Sequence, residues 1–361
     1  MGLPSITIIF QTAARAVSRR GGQGSVGLIV LDDDTATTGK LLTLKTAADV
    51  PATLSEANRQ YIAQAFVGNV NSPSVVYAYV LAAEAESYDT ALAEFSKLDL
   101  DWVAGDPAAT ATLAGEIKTW VEDAREEDHC VVKAVLPGVA ADSEWVVNFA
   151  AEDIAVGSKT YAAAGYCARI AGLLAGTPLW QSATYVTLPE VEGLKRKARS
   201  ALDAEVEAGK LVLFHDGAKV KVGRGVTSLT TTSADKPALL KKIKAVEALD
   251  LIRRELRTLV QDEYIGKYAN SYDNKCILIT AVKSYLNALE DEGILQAGQS
   301  SVSIDTDAQR TYLAAQGVDV SRLSESEIRQ ADTGDKVFLL ANVRLLDAIE
   351  DVQITVNYAE V

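Results

Sequence analysis

Gly22-Gln23-Gly24-Ser25-Val26-Gly27 has the G-x-G-x-x-G spacing that lets backbone amides approach a dinucleotide pyrophosphate. That chemistry needs a strand before the loop and a helix after it, so that the helix N-terminus meets the anion. Here Leu28-Ile29-Val30-Leu31 follows and reads as a strand. The run therefore reads as a hinge, in which Gly21, Gly22 and Gly24 give the backbone its freedom. Asp32-Asp33-Asp34 could hold Mg²⁺, but an acidic run at a strand end reads first as a solvated turn. His129 and His215 each stand without a second His at ligand spacing. No Ser occupies a G-x-S-x-G elbow. Cys130, Cys167 and Cys276 form neither a metal spacing nor a disulfide framework, which points to folding in a reducing cytosol. Lys195-Arg196-Lys197 reads as one turn of a solvated helix face, and Trp102, Trp120, Trp145 and Trp180 read as core. No catalytic, cofactor-binding or metal-ligating set assembles. A nucleotide-binding, doubly wound α/β enzyme stays open as an alternative, resting on the Gly loop alone.

The elements that would position such residues fall into two styles. Between residues 25 and about 190, strands and helices alternate: strands at 24–31, 75–81, 100–104 and 130–136, helices at 54–66, 88–98, 109–126 and 161–174. Thr53 and Glu56, three apart, read as a capping box at the start of the first helix. Alternation of this kind argues for an α/β layer around a mostly parallel sheet. The second half reads as α+β. It offers a charged helix at 194–208, a hairpin at 210–222 around Asp216-Gly217, and a strand at 241–246 running into a helix near 249–260. An amphipathic helix at 274–289, short helices at 307–315 and 324–330, and a strand at 336–346 follow. The expected organisation is an N-terminal arm and hinge (1–24), an α/β outer domain (25–190), a C-terminal core domain (191–346) and a C-terminal arm (347–361).

Composition narrows the partners. The chain has 361 residues, 48% hydrophobic and 23% charged, in the range of ordinary globular proteins. A net charge of −14 argues against nucleic acid, since phosphate binding needs a basic surface. Neither a signal-peptide apolar region nor a membrane-length apolar run is present.

The two ends are the least ordinary feature. Ile6, Ile8 and Phe10 share one face of a strand-like segment, and Val352, Ile354, Val356 and Tyr358 share one face of another. Neither segment has an adjacent strand to pair with, and an unpaired edge invites a second chain. Both ends thus read either as strands exchanged between copies of the chain or as strands paired within their own domain.

Gly2-Leu3-Pro4-Ser5-Ile6-Thr7-Ile8-Ile9-Phe10, with Arg19-Arg20-Gly21 and Gly27-Leu28-Ile29-Val30, resembles the start of contractile tail sheath proteins, of the short type in Gram-positive prophages and phage-tail-like bacteriocins. Gly223-Arg224-Gly225-Val226-Thr227-Ser228-Leu229-Thr230-Thr231 resembles the family's Arg-Gly-Val-Asn-Thr-Leu-Thr segment, with Thr227-Ser228 where Asn-Thr is usual. Tyr264-Ile265-Gly266-Lys267 with Asn270, Leu289 to Leu295, and Thr333-Gly334-Asp335-Lys336-Val337-Phe338 through Asp351 resemble its later core elements. The resemblance implies a non-enzymatic subunit without cofactor. It implies six-membered rings stacked helically around a tail tube, a core sheet completed by strands from neighbouring subunits, and baseplate and tail terminator proteins as further partners. It also implies a virion or tail-like particle assembled in the host bacterial cytoplasm. The family's tube-attachment helix falls within Asp305 to Ala331, which makes Arg310, Arg322, Glu325 and Arg329 the expected tube contacts.

Overall fold

A computed structural model of the chain describes residues 24–127, 130–234 and 236–357. These fold as two compact units, residues 24–247 with 348–357, and residues 248–347.

The first unit is built on an eight-stranded sheet. Its strands are β1 (Ser25–Asp32), β2 (Lys40–Leu44), β3 (Val75–Ala82), β4 (Trp102–Ala104), β5 (Lys133–Pro137), β6 (Val146–Ala150), β9 (Lys210–His215) and β10 (Val220–Val222). β7 (Ile154–Val156) and β8 (Lys159–Tyr161) form a separate hairpin. The strand order across the sheet is β10-β9-β6-β5-β4-β1-β3-β2. β1, β3, β4, β5, β6 and β9 run parallel, and β2 and β10 close the edges antiparallel. A parallel sheet is covered on both faces, which is why β1 is a near-continuous apolar run. Leu28 and Val30 point into one apolar cluster, with Ile62 and Ala65 of α1 (Glu56–Ala65) and Ile170 and Leu174. Ile29 points into the other, with Phe95 of α2 (Asp89–Phe95) and Ile117 and Val121 of α3 (Ala111–Glu126). The helices α4 (Cys167–Ala175) and α5 (Arg199–Glu207) follow in chain order.

α6 (Ile243–Glu263) contains the boundary between the units. In the second unit α7 (Tyr272–Asp291) buries Leu278, Val282, Leu286 and Leu289, one stripe at helical spacing. β11 (Ser301–Ile304) pairs antiparallel with β12 (Leu339–Asn342) as a two-stranded sheet. Gln309 and Leu313 of α8 (Thr306–Ala315) are buried, as is Ile328 of α9 (Glu325–Gln330), and the Gln309 amide donates to the Ile328 carbonyl.

Several expectations move. The first helix is capped by Ser55, whose hydroxyl accepts from the Asn58 amide at 3.3 Å, while Thr53 donates to Asp34 instead. Residues 241–246 hold no strand: the buried Ile243 and Val246 are three apart, one helical turn, and α6 begins at Ile243. Tyr161 ends β8, so the small-residue helix starts six residues later, at Cys167. The hairpin 210–222 joins the first unit's sheet through β6, so the chain divides near Glu247/Ala248 and not near residue 190.

Candidate functional site

The residues with chemical potential are committed to structure. Gly24 donates its amide to the Ala175 carbonyl and accepts from the Ser74 amide, both at 3.0 Å, and Gly27 lies within β1. Gly21, Gly22, Ile6, Ile8, Phe10, His129 and Tyr358 lie outside the described residues. Asp32 is buried and accepts from the Ser55 amide (2.9 Å) and the Asn58 side chain (2.8 Å). Burial raises its carboxyl, but these hydrogen bonds outweigh that and hold it below the ordinary value. Asp34 accepts from the Thr37 and Thr53 hydroxyls. His215 Nδ1 accepts from the Gly217 amide in its turn. Lys195 and Lys197 lie in the loop before α5, paired with Glu152, and Lys197 also with Glu205. They are not on a helix face, because the helix starts only at Arg199. Trp102 is core, with Lys133 Nζ 5.1 Å from its ring centre, whereas Trp180 is 62% exposed in the loop after α4. A doubly wound sheet binds ligands beyond the C-terminal ends of its strands. Beyond β4, Tyr61 donates to the Gly105 carbonyl, and Asp106 accepts from the Leu31 and Ala108 amides. No group of acidic, His or Cys side chains suited to a metal occurs among the described residues.

The arrangement with the clearest consequence is at the C-terminal segment. Glu350 tucks its carboxylate against the first unit, with its side chain only 6% exposed. Oε1 accepts from Ser182 Oγ at 2.9 Å and Thr184 Oγ1 at 2.6 Å. Oε2 faces Arg224 Nε at 3.5 Å and Lys242 Nζ at 3.7 Å. The same guanidinium donates from Nη2 to Asp351 at 2.6 Å, which raises the already high pKa of Arg224. Beyond this point the chain leaves the surface. Val352, Ile354 and Val356 are 69%, 78% and 77% exposed. Residues 352–357 form no strand and no backbone hydrogen bond with any described residue. The expected strand is present as an apolar pattern without a partner.

Arg224 is held by its own segment. Gly223 donates to the Val212 carbonyl at 2.7 Å, and Gly225 to Thr184 Oγ1 at 3.0 Å. Thr227 donates to the Lys241 carbonyl, Ser228 to that of Val146, and Leu229 is buried. The amides of Thr230 and Thr231 and the Thr230 hydroxyl converge on Asp142, whose φ is +50°. Hydrogen bonds from Thr231 and then Thr230 hold the Asp142 carboxyl well below the ordinary carboxylate range. The segment singled out from sequence is thus a strap whose first residues reach the C-terminal segment. Sequence reasoning missed Glu350, Ser182 and Thr184, because their pairing spans more than 160 residues and no local pattern records it.

In the second unit Asn270 Nδ2 donates to Gly334 and Lys336 carbonyls at 2.8 Å, and Lys275 Nζ to Thr333 Oγ1 at 3.0 Å. Burial lowers the Lys275 ammonium pKa. The 333–336 turn is thereby fixed ahead of β12, and the outer edges of β11 and β12 pair with no described strand. Arg322 pairs with Asp319 at 3.1 Å and Arg329 with Glu325 at 2.5 Å, all exposed, and Arg310 is exposed on α8.

Comparison with known proteins gives consistent likenesses. Residues 82–228 match the family described as phage tail sheath protein central domain, and residues 235–359 match the phage tail sheath C-terminal domain. A tail sheath protein of Clostridium phage phiCD119 is 35% identical over 361 residues, covering 99% of each chain. An uncharacterised protein, YqbK of Bacillus subtilis, is 25% identical over 68% of this chain and 53% of its own length. Among solved structures, a sheath tail protein from Desulfitobacterium hafniense superposes with a TM-score of 0.70 at 16% identity, covering 83% of this chain and 94% of that one. The anti-feeding prophage helical sheath in its contracted state gives 0.69 at 14% identity over 99% of both chains. At such identities the structural likenesses speak for the fold.

Proposed function

The chain belongs to the phage tail sheath family, and on that premise we propose that it works as a subunit of a contractile sheath. Copies stack as six-membered rings in a helical polymer around a tail tube. The polymer shortens and widens to drive the tube through a target cell envelope. The subunit's work is mechanical, without catalytic residue, cofactor or metal. Its partners are other copies, the tube protein, and the baseplate and tail terminator proteins. It resides in a virion or tail-like particle built in the host cytoplasm.

One observation carries this reading: an apolar alternation at Val352, Ile354 and Val356 is left bare directly after a fixed anchor at Glu350. Three large side chains in water forgo about 1.5–3 kcal/mol each, which burial against a second chain would recover. Strand addition to an open sheet edge supplies that burial and satisfies the free backbone groups together. The edges of β11 and β12 that pair with no described strand are suitable receivers, and the Ile6, Ile8 and Phe10 segment is the matching donor at the other end.

The test is a double substitution, Ile354→Asp with Val356→Asp. The dilute subunit should melt as the unaltered protein does, and electron microscopy should show no tubes. A clear fall in the melting temperature of the dilute subunit would mean that the strand pairs at home, against the exchange.

A further inference from the structure

Resting on the strand-exchange reading, we propose that Ser182, Thr184, Arg224 and Lys242 form a clamp on Glu350 that fixes where, and in which direction, the C-terminal strand leaves the subunit toward a second copy of the chain. Four groups from three separate stretches of sequence converge on one carboxylate: two hydroxyls donate to Oε1, and two cations pair with Oε2 by charge without a hydrogen bond. The support is rigid. Arg224 sits between Gly223, tied to β9 at Val212, and Gly225, tied to Thr184. Val226 bridges to Lys242, so the two cations share one frame.

The guanidinium meets two successive carboxylates, Glu350 through Nε and Asp351 through Nη2. One bonded residue would anchor the chain yet leave it free to swivel. An ion pair to Glu350 and a hydrogen bond to Asp351 from one planar guanidinium also set the heading of the residue that follows. That residue is Val352, the first of the exposed apolar set. A strand launched from a fixed root explores less space, so its partner loses less entropy in capturing it. The root also holds the strand near its receiver at a high effective concentration. The clamp needs no change in the strand itself and acts only on the cost of assembly.

Sedimentation of polymer from subunit tests this with full-length protein and three variants: Glu350→Ala, Arg224→Gln, and a chain lacking residues 352–361. The shortened chain should not polymerise. Glu350→Ala and Arg224→Gln should raise the critical concentration about tenfold. Protease cleavage within 346–356 should become faster, with melting of the dilute subunit within a few degrees of the parent. Arg224 is partly exposed, so its replacement keeps the test decisive should Glu350→Ala fold poorly. Polymerisation of folded Arg224→Gln at the parental concentration, while the shortened chain fails, would overturn the clamp alone. Polymerisation of the shortened chain would overturn the exchange reading beneath it.

Discussion

Gly172 lets α1 and α4 touch. A Cβ built on it would stand 1.9 Å from the Ala65 carbonyl oxygen, and the Ala65 carbonyl carbon and Cα would also be too close. Backbone cannot swing aside as a long side chain would, so Gly172→Ala must push one helix off the sheet. Overpacking of this kind costs about 1–3 kcal/mol. Thermal denaturation of the dilute subunit should show a fall of several degrees, and an unchanged melting temperature would mean that the two helices part freely. Nearby Arg169 is buried, donating to Glu190 at 2.6 Å and to the Gly68 carbonyl at 2.7 Å. Burying a cation costs several kcal/mol of lost hydration, and partners of this quality offset it. Neither residue was legible in sequence. A glycine within a small-residue helix and an arginine beside it look the same whether they face solvent or a neighbouring helix. The acidic run at Asp32 to Asp34 was only partly legible: Asp34 leads into the turn at 35–39 by accepting from the Ala36 amide, but Asp32 ends β1 and is buried rather than solvated.

At the scale of elements, α7 and the loop after it are stapled by one side chain. Glu290 accepts from the Gly298 amide and the Ser300 amide, each at 2.8 Å. Hydrogen bonds from Ser300, then the Gly298 amide, pull its carboxyl down to about 2 from the usual 4.5. A carboxylate whose folded pKa lies below its unfolded one contributes stability above the unfolded value. That contribution is lost as pH falls through the folded value. The subunit should therefore lose stability progressively between about pH 4.5 and pH 2. Glu290→Gln should flatten part of that acid limb in melting temperature against pH, while parallel curves would remove the staple from the account. The α/β alternation was readable because a short continuous apolar run such as residues 25–31 differs sharply from the four-residue spacing of Leu113, Ile117 and Val121. β2, β6, β7, β8 and β11 were not legible in sequence. They are only three to five residues long, and their identity is set by the strand beside them more than by their own pattern.

At the scale of the whole molecule, the proposed function asks a chain of net charge −14 to stack on copies of itself and to hold a tube that it must later release. Like charge opposes stacking, so apolar strand exchange is suited to the permanent contacts and polar pairing to the temporary one. The alternation at Val352, Ile354 and Val356 was readable in sequence, and its role as a donated strand remains the proposal. The clamp was not readable, because its members meet only after folding. We propose the surface of residues 305–331 for the temporary contact: Arg310, Arg322 and Arg329 stand among Asp307, Asp319, Glu325 and Glu327, all exposed. Arg322–Asp319 and Arg329–Glu325 are short-range pairs on the subunit's own helices. Exposed pairs of this kind contribute about 0–1 kcal/mol each, so exchanging them for partners on a tube costs little. We expect Arg322→Glu with Arg329→Glu to weaken co-assembly of sheath with tube while sheath polymerises alone at its usual concentration. Salt should weaken the parental co-assembly in the same direction, since exposed charges are screened within about 10 Å at 0.1 M. A density map of the assembled particle with residues 30–190 against the tube would move the contact elsewhere, and so would a double variant that binds tube as the parent does.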